Sequence, residues 1–274
     1  MTAAAEAVDW LAVSPTRTAL FTDFDGTLSR IVLRPELARP LPAVPALLKR
    51  LAGRLQVVAV VSGRPAAWLV QQLGLAPGEG GSEGLVEAYG LHGLEHAAGG
   101  AIELAPAAAA WEDVVSQARD EAVAAEIAGL EVEDKRYGVT LHWRNAAEPA
   151  AAGEQARRLA GRLSASTGLL TRPGKASVEL VAPTGIDKGT VVRTRVRASD
   201  LERVAFFGDD VSDLPAFAAV DELIRAGGVA GLKVAVTGSE APSELIERAD
   251  LVLASPEEAV GLLTSLAGRL GAAP

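Results

Sequence analysis

No cysteine occurs among the 274 residues, which excludes disulfides and thiolate metal sites and fits a reducing, cytoplasmic setting. No apolar run approaches the roughly 18 residues of a membrane span, so no transmembrane helix is expected. The opening, MTAAAEAVDW, has neither the basic start nor the apolar stretch of a signal peptide. Basic residues are outnumbered, 26 against 35 acidic, giving a net charge of −9 with no Lys/Arg-rich block. A nucleic-acid or anionic-membrane partner is therefore not expected. A small anionic substrate stays open, since a local site can differ in sign from the whole. There is no repeat of fixed period and no charged low-complexity tail. What remains is ordinary for a soluble globular protein, 49% apolar and 22% charged, with enough chain for one large domain or two smaller ones.

Against that background one stretch stands out. LFTDFDGTLSR, residues 20–30, ends an apolar run in two aspartates two residues apart, followed by Gly-Thr-Leu. On a strand Asp23 and Asp25 share a face, because side chains repeat every two residues. Adjacent carboxylates repel, so a positive partner is expected elsewhere in the chain.

Other apolar runs also stop abruptly at Asp, Ser or Gly: LQVVAVVSGR (55–64), RVAFFGDD (203–210), GLKVAVTG (231–238) and ADLVLAS (249–255). Val-rich, without alternation and separated by helix-like stretches at 42–54, 65–74 and 187–198, they read as buried strands of a parallel sheet. In open sheets of this kind ligands sit beyond the carboxyl ends of the strands, and the unusual polar residues fall there. From about Ala107 to Ala182 the texture changes. A helical stretch, AAAWEDVVSQARDEAVAAEIAG, precedes a hairpin, LEVEDKRYGVTLHWRN. A second helix, AAEPAAAGEQARRLAGRLSAST, precedes a second hairpin, GLLTRPGKASVELVA, with its turn expected near Pro173-Gly174. Such a unit inserted in a parallel α/β sheet is a second domain. The expected division is a core of 1–106 and 184–274 and an insert of 107–183.

Four separated elements carry the chemistry. Asp23 and Asp25 end the first strand, Ser62 ends the second in VVSGRP, Lys188 lies in GIDKGT, and Asp209, Asp210 and Asp213 follow VAFFG in GDDVSD. Together they suit phosphoryl transfer. A carboxylate nucleophile needs a divalent cation to tolerate its neighbours and polarise the phosphate, and hard oxygen ligands suit Mg²⁺. A lysine and a hydroxyl can hold the remaining phosphoryl oxygens, while a second carboxylate shuttles the leaving-group proton. The positive partners of the aspartate pair are then Lys188 and a bound metal.

These residues also carry a resemblance. DFDGT, VSGR, a lysine after the insertion and GDDVSD match in order the four motifs of the haloacid dehalogenase superfamily of phosphatases. Within it, DFDGTLSRIVLRPELARP, YGLHGLE, VEDK, HWRN, GKASVEL and DKGT resemble the trehalose-6-phosphate phosphatases. The fold this implies is α/β, a doubly wound, mainly parallel-sheet core with an inserted αββαββ cap domain. Carried over by motif, Asp23 is the nucleophile that becomes an aspartyl-phosphate, and Asp25 is general acid, then base. Ser62 and Lys188 bind the phosphoryl group. Mg²⁺ is held by Asp23, the Asp25 carbonyl and Asp209, with Asp210 and Asp213 as ligands or supports. Arg64 lies near the substrate path, and Glu133, Lys135, Arg144, Lys175 and Glu179 face the sugar from the cap. The activity implied is hydrolysis of a phosphorylated disaccharide, trehalose 6-phosphate, by a cytoplasmic monomer. Two departures stand out: SDLPAF replaces the family's Thr-Asp-Glu-Asp run, and Val181 and Ala182 stand where a basic residue and proline usually follow the cap glutamate.

Plainer readings stay beside these. Ser62 can simply cap the helix that begins near Pro65, and Glu133 and Lys135 can be a solvated ion pair. His92 and His96 have no zinc-type spacing; His92 is a candidate for the active-site entrance and His142 for a structural role. Trp111 and Trp143 read as packing residues. Rival functions are a phosphatase of another sugar phosphate, such as a glucosyl or mannosyl phosphoglycerate or sucrose phosphate, and a non-catalytic sugar-phosphate-binding protein.

Overall fold

The computed structural model describes residues 3–32, 34–75, 84–238 and 242–271. The chain divides into two compact units, Met1–Glu103 with Ile186–Pro274, and Leu104–Gly185. In chain order the first unit begins α1 (Ala3–Leu11), β1 (Thr18–Thr22), α2 (Val44–Ala52), β2 (Val57–Val61), α3 (Ala66–Leu73), β3 (Val86–Gly90), β4 (Glu95–Ala98) and β5 (Ala101–Leu104). The second unit holds α4 (Pro106–Ala109), α5 (Glu112–Ala124), β6 (Glu131–Asp134), β7 (Gly138–His142), α6 (Pro149–Thr167), β8 (Leu170–Gly174) and β9 (Ser177–Val181). The first unit resumes with α7 (Lys188–Arg197), β10 (Arg203–Gly208), α8 (Leu214–Arg225), β11 (Ala230–Val236), α9 (Ser243–Arg248), β12 (Leu251–Leu253) and α10 (Pro256–Arg269).

The first unit is built on an eight-stranded sheet in the order β12-β11-β10-β1-β2-β3-β4-β5. Its strands run parallel from β12 through β3, and β4 turns antiparallel on β3. Both faces are covered, so the central strands are apolar through their middles, Ala19–Phe21 in β1 and Val204–Phe207 in β10. In β10, Ala205 and Phe207 enter the cluster built with Leu48, Leu69 and Leu263, whereas Val204 and Phe206 enter the one built with Val192 and Phe217. The period of two that pleats a strand makes this division. β1 is central and wholly buried, which fixes the height at which Asp23 emerges. The helices carry their own end signals: Asp187 caps α7 by accepting from Thr190 N–H at 2.7 Å, and Ser255 caps α10 ahead of Pro256.

The second unit is an αββαββ arrangement after the short α4. Its antiparallel sheet, in the order β6-β7-β9-β8, buries Val139, Leu141, Val178 and Leu180 against α5 and α6. Trp143 is buried in this cluster, with the Arg157 guanidinium 5.3 Å from its ring centre, and Trp111 packs on the cluster's edge. The turn of the second hairpin falls at Lys175-Ala176, two residues later than expected, because Pro173 and Gly174 pair within β8 opposite Val178 and Ser177. Ala176 takes the left-handed turn conformation with φ of 50°. Among the described residues, no helix is long and apolar enough to cross a membrane.

Candidate active site

Asp23 follows directly on β1, and its N–H extends the ladder by donating to Phe207 O at 2.8 Å. The chain then folds tightly on Phe24, whose carbonyl accepts from Leu28 and Ser29 N–H at 2.9 and 3.0 Å. Gly26 makes this turn with φ of +81°, and a Cβ there would sit 2.0 Å from Asp209 Oδ2. Only glycine lets the first loop approach the third aspartate so closely.

Lys188, first residue of α7, is 1% exposed. Its Nζ lies 2.9 Å from Asp23 Oδ1 and 2.7 Å from Asp213 Oδ1. The other oxygen of Asp213, Oδ2, accepts from the N–H groups of Asp209 and Asp210 at 2.9 and 3.0 Å. Asp209 Oδ1 is buried and has no hydrogen-bond partner among the described residues. Asp23, Asp209 and Asp213 each offer an oxygen within 4.8 Å of the others, so three buried carboxylates face one ammonium. Burial, and to a lesser degree the Asp213 charge, pushes the Asp23 carboxyl up to about 7 although Lys188 pulls it down. Asp209 is raised well above the usual range by burial and by Asp23 and Asp213. Lys188 is raised too: burial opposes its charge, but Asp213 and Asp23 outweigh that.

The donor set fits a hard divalent cation. It is all oxygen, one of its oxygens is orphaned, and its negative charge exceeds what Lys188 supplies. Within it Asp23 and Asp209 are the open carboxylates. Both oxygens of Asp213 are already engaged, so it acts as a brace that fixes Lys188 and the loop amides. Asp210 lies aside, its side chain accepting from Val211 N–H at 2.6 Å.

The second strand end supplies Ser62, 1% exposed. Its Oγ accepts from Arg64 N–H at 3.2 Å, closing a local turn, and it does not cap α3, whose N-cap is Pro65 with no side-chain hydrogen bond. The Arg64 guanidinium meets Asp25 through both edges, Nε to Oδ2 at 2.8 Å and Nη2 to Oδ1 at 2.9 Å. Against this loop lies the GLHGLE segment. Leu91 and His92 both adopt left-handed φ, 49° and 58°, and His92 N–H donates to Ser62 O at 2.8 Å. The His92 ring stands 3.0 Å from where a Cβ on Gly63 would be, so His92 is seated on the Ser62 loop. Consecutive non-glycine residues in this conformation are costly and cluster at functional sites.

In the second unit, the polar face of the sheet brings Glu133, Lys135 and Glu179 together. Lys135 Nζ is 3.2 Å from Glu179 and 4.0 Å from Glu133. The register aligns Glu133, Thr140, Glu179 and Arg172 in one cross-strand row. Thr140 is buried, and its Oγ1 has no partner among the described residues. Arg144 and Lys175 lie away from this row, past the end of β7 and in the β8–β9 turn, where Arg144 Nη2 donates to Lys175 O at 3.4 Å. Arg172 and Trp68 were missed by reading the sequence, and His142 was read only for a structural role. His142 donates or accepts at 2.8 Å with Glu133, Arg172 stands across from Glu179, and Trp68 lies under Arg64 at 4.7 Å. Hairpin register would have put His142 and Arg172 on the Glu133 face; nothing local marks Trp68.

Comparison with known proteins adds a family and a fold. A trehalose-phosphatase family model matches residues 21–249. A trehalose-phosphate phosphatase of Mycolicibacterium paratuberculosis is 37% identical over 264 residues, covering 92% of this chain. The chain spans 62% of that relative's length. Among solved structures, the C-terminal domain of a Candida albicans trehalose-6-phosphate phosphatase superposes with a TM-score of 0.75 at 21% identity, covering 97% of both chains. A haloacid dehalogenase-like hydrolase from Bacteroides thetaiotaomicron shares the fold with a TM-score of 0.61 at 15% identity, covering 91% of this chain and 98% of its own. On a haloacid-dehalogenase-type α/β fold, and with the family match running from β1 nearly to β12, the chain belongs to the trehalose-phosphatase family.

Proposed function

We propose that the protein is an Mg²⁺-dependent phosphatase that hydrolyses trehalose 6-phosphate to trehalose and phosphate. The observation that carries the reading is the buried cluster of Asp23, Lys188, Asp209 and Asp213, with Asp209 Oδ1 left over. Asp23, Asp209 and the Asp25 carbonyl would hold the cation, which when bound would offset carboxylate charge and polarise the phosphoryl oxygens.

The chain's own residues supply the rest. Asp23 attacks phosphorus, an Asp23–phosphorus bond forms, and the bond from phosphorus to the sugar oxygen breaks as Asp25 gives that oxygen a proton. Water then attacks the aspartyl-phosphate, Asp25 takes the water's proton, and Asp23 is released. Lys188 and Ser62 hold the phosphoryl oxygens, with Lys188 kept charged by its two carboxylates. The polar face of the second unit, with Glu133, Lys135 and Glu179, suits a ligand rich in hydroxyls, since carboxylates accept from one hydroxyl while the ammonium donates to the next. That face is the reason to favour a disaccharide over a compact phosphate ester.

Phosphate release from a panel of sugar phosphates, with Mg²⁺ and with chelator, tests this. Trehalose 6-phosphate should give the highest kcat/KM, and chelator should abolish turnover. A higher value for sucrose phosphate or a glucosyl phosphoglycerate would move the substrate assignment, and no turnover of any ester would leave only a binding role.

A further inference from the structure

We propose that Trp68 is a positioning residue for the acid–base step, acting through Arg64. This rests on the reading of Asp25 as the proton donor and acceptor. Trp68 lies in the first turn of α3, and its indole touches the catalytic loops on two sides. The Arg64 guanidinium stacks over its ring, Cζ 4.7 Å from the centroid, and the same guanidinium grips both oxygens of Asp25 at 2.8 and 2.9 Å. The fully buried ring of Phe24, the residue between Asp23 and Asp25, meets the indole edge-on at 5.1 Å and 89°.

The two contacts do different things. Phe24 alone would make Trp68 an ordinary packing residue. The stacked guanidinium adds a direction: with one face against the indole, Arg64 presents its Nε and Nη2 edge to the Asp25 carboxylate. A bidentate grip fixes the plane of that carboxylate as well as its place. Arg64 is 18% exposed and Asp25 29%, so this pair stands partly in solvent, where the stacked indole adds to what orders it. A cation over an indole face shifts such an equilibrium about 2- to 30-fold.

The test is a double-mutant cycle of Trp68→Leu with Arg64→Met, read in kcat/KM for trehalose 6-phosphate and for p-nitrophenyl phosphate, and in thermal stability. Proton donation matters for a sugar alkoxide and little for a phenolate, and kcat/KM reports the first transfer. Trp68→Leu should lower kcat/KM for the sugar phosphate by about tenfold, within the range of the stacking contact, and leave the aryl phosphate within about twofold. Trp68→Phe, which keeps a ring, should recover most of the loss. In the Arg64→Met background Trp68→Leu should cost little more. Equal losses on both substrates, or the same loss with and without Arg64, overturn the proposal. Failure of the parent to hydrolyse trehalose 6-phosphate would instead count against the proposed function. The cycle in thermal stability would still report whether Trp68 and Arg64 are coupled, and additive losses there overturn the proposal independently of substrate.

Discussion

Glu87 offers a prediction that depends on no metal or substrate. It lies on β3, 9% exposed, and accepts from Tyr89 Oη at 2.7 Å and from Arg195 Nε at 2.9 and 3.1 Å. His96 Nε2 stands 3.5 Å away, with its ring stacked 4.3 Å from that of Tyr89. Burial by itself would raise this carboxyl, but the His96, Arg195 and Tyr89 contacts outweigh it and hold the pKa at about 2 against an ordinary 4.5. A folded pKa below the unfolded one stabilises the fold above the unfolded value and is lost as pH falls through the folded one. The interval corresponds to about 3 kcal/mol at neutral pH. Glu87→Gln should therefore lower stability by up to about 3 kcal/mol at pH 7, because it also leaves Arg195 without its charged partner.

In a chain of this size that is a fall in Tm on the order of 6–12 °C. Urea unfolding of parent and variant across pH is the assay, since the difference between the two removes the titrating groups that do not touch Glu87. The gap should close as Glu87 in the parent's unfolded chain takes up its proton below 4.5 while the folded one stays ionised, to about 1 kcal/mol near pH 3. A gap that stays constant from pH 7 to pH 3 would refute the charge origin, and no gap at pH 7 would refute the coupling altogether.

The remaining predictions address the site. Asp23→Asn should abolish turnover while the protein stays folded, and a fluoride analogue of the phosphoryl group should no longer be trapped; activity within tenfold of the parent would sink the nucleophile assignment. Asp25→Asn should lose about 10²–10⁴-fold on the sugar phosphate and less on p-nitrophenyl phosphate when kcat/KM values are compared, whereas equal losses would mean that Asp25 serves something other than proton transfer. Lys188→Met leaves Asp23 and Asp213 buried without their cation and should cost about 3–5 kcal/mol by urea unfolding in chelator; unchanged stability would show that the carboxylates are accommodated in another way. Glu133→Ala and Glu179→Ala should each cut kcat/KM for trehalose 6-phosphate by about 10- to 100-fold, the worth of one hydrogen bond to a charged group, and spare p-nitrophenyl phosphate, while parallel losses on both esters would assign these residues to folding.

Much of the fold was legible because burial on both faces leaves a strand no polar position to hide its signal. The runs 55–64, 203–210 and 231–238 carry β2, β10 and β11, and each stops where the sheet meets solvent. The antiparallel edge was not legible. EHAA and AIEL are short and carry Glu95 and Glu103, and EHAA owes its antiparallel pairing with VEAYG to the turn at Leu91 and His92 rather than to a Val-rich run. In the site, residue type and strand position pointed to Asp23, Ser62, Lys188 and Asp209, since an acid at the end of an apolar strand is locally unusual. Partner choice was hidden. Arg64 reads as a substrate contact from its motif, yet its guanidinium lies on Asp25, 39 residues away in the chain, and no local pattern says which of several anions an arginine will take.

The same limit separates three aspartates that look equivalent in GDDVSD. Their side chains differ only in which donors the fold leaves within reach. Asp213 is fully buried, but Lys188 and two backbone N–H groups satisfy it, and a carboxylate so engaged has little left to offer a cation. Asp210, less buried, bends back onto Val211 N–H and shapes the turn. Asp209 has its own backbone N–H committed to Asp213 while its Oδ1 points at nothing among the described residues. A buried carboxylate oxygen without a donor is expensive, and with Asp23 a few ångströms off the cost rises further. Such an arrangement persists when the position is kept for a ligand that supplies the missing charge. Asp213 thus makes the site rigid, and Asp209 and Asp23 make it demanding. The pair is strained toward protonation as it stands, and under the proposed function it becomes a nucleophile and its neighbour only when positive charge arrives.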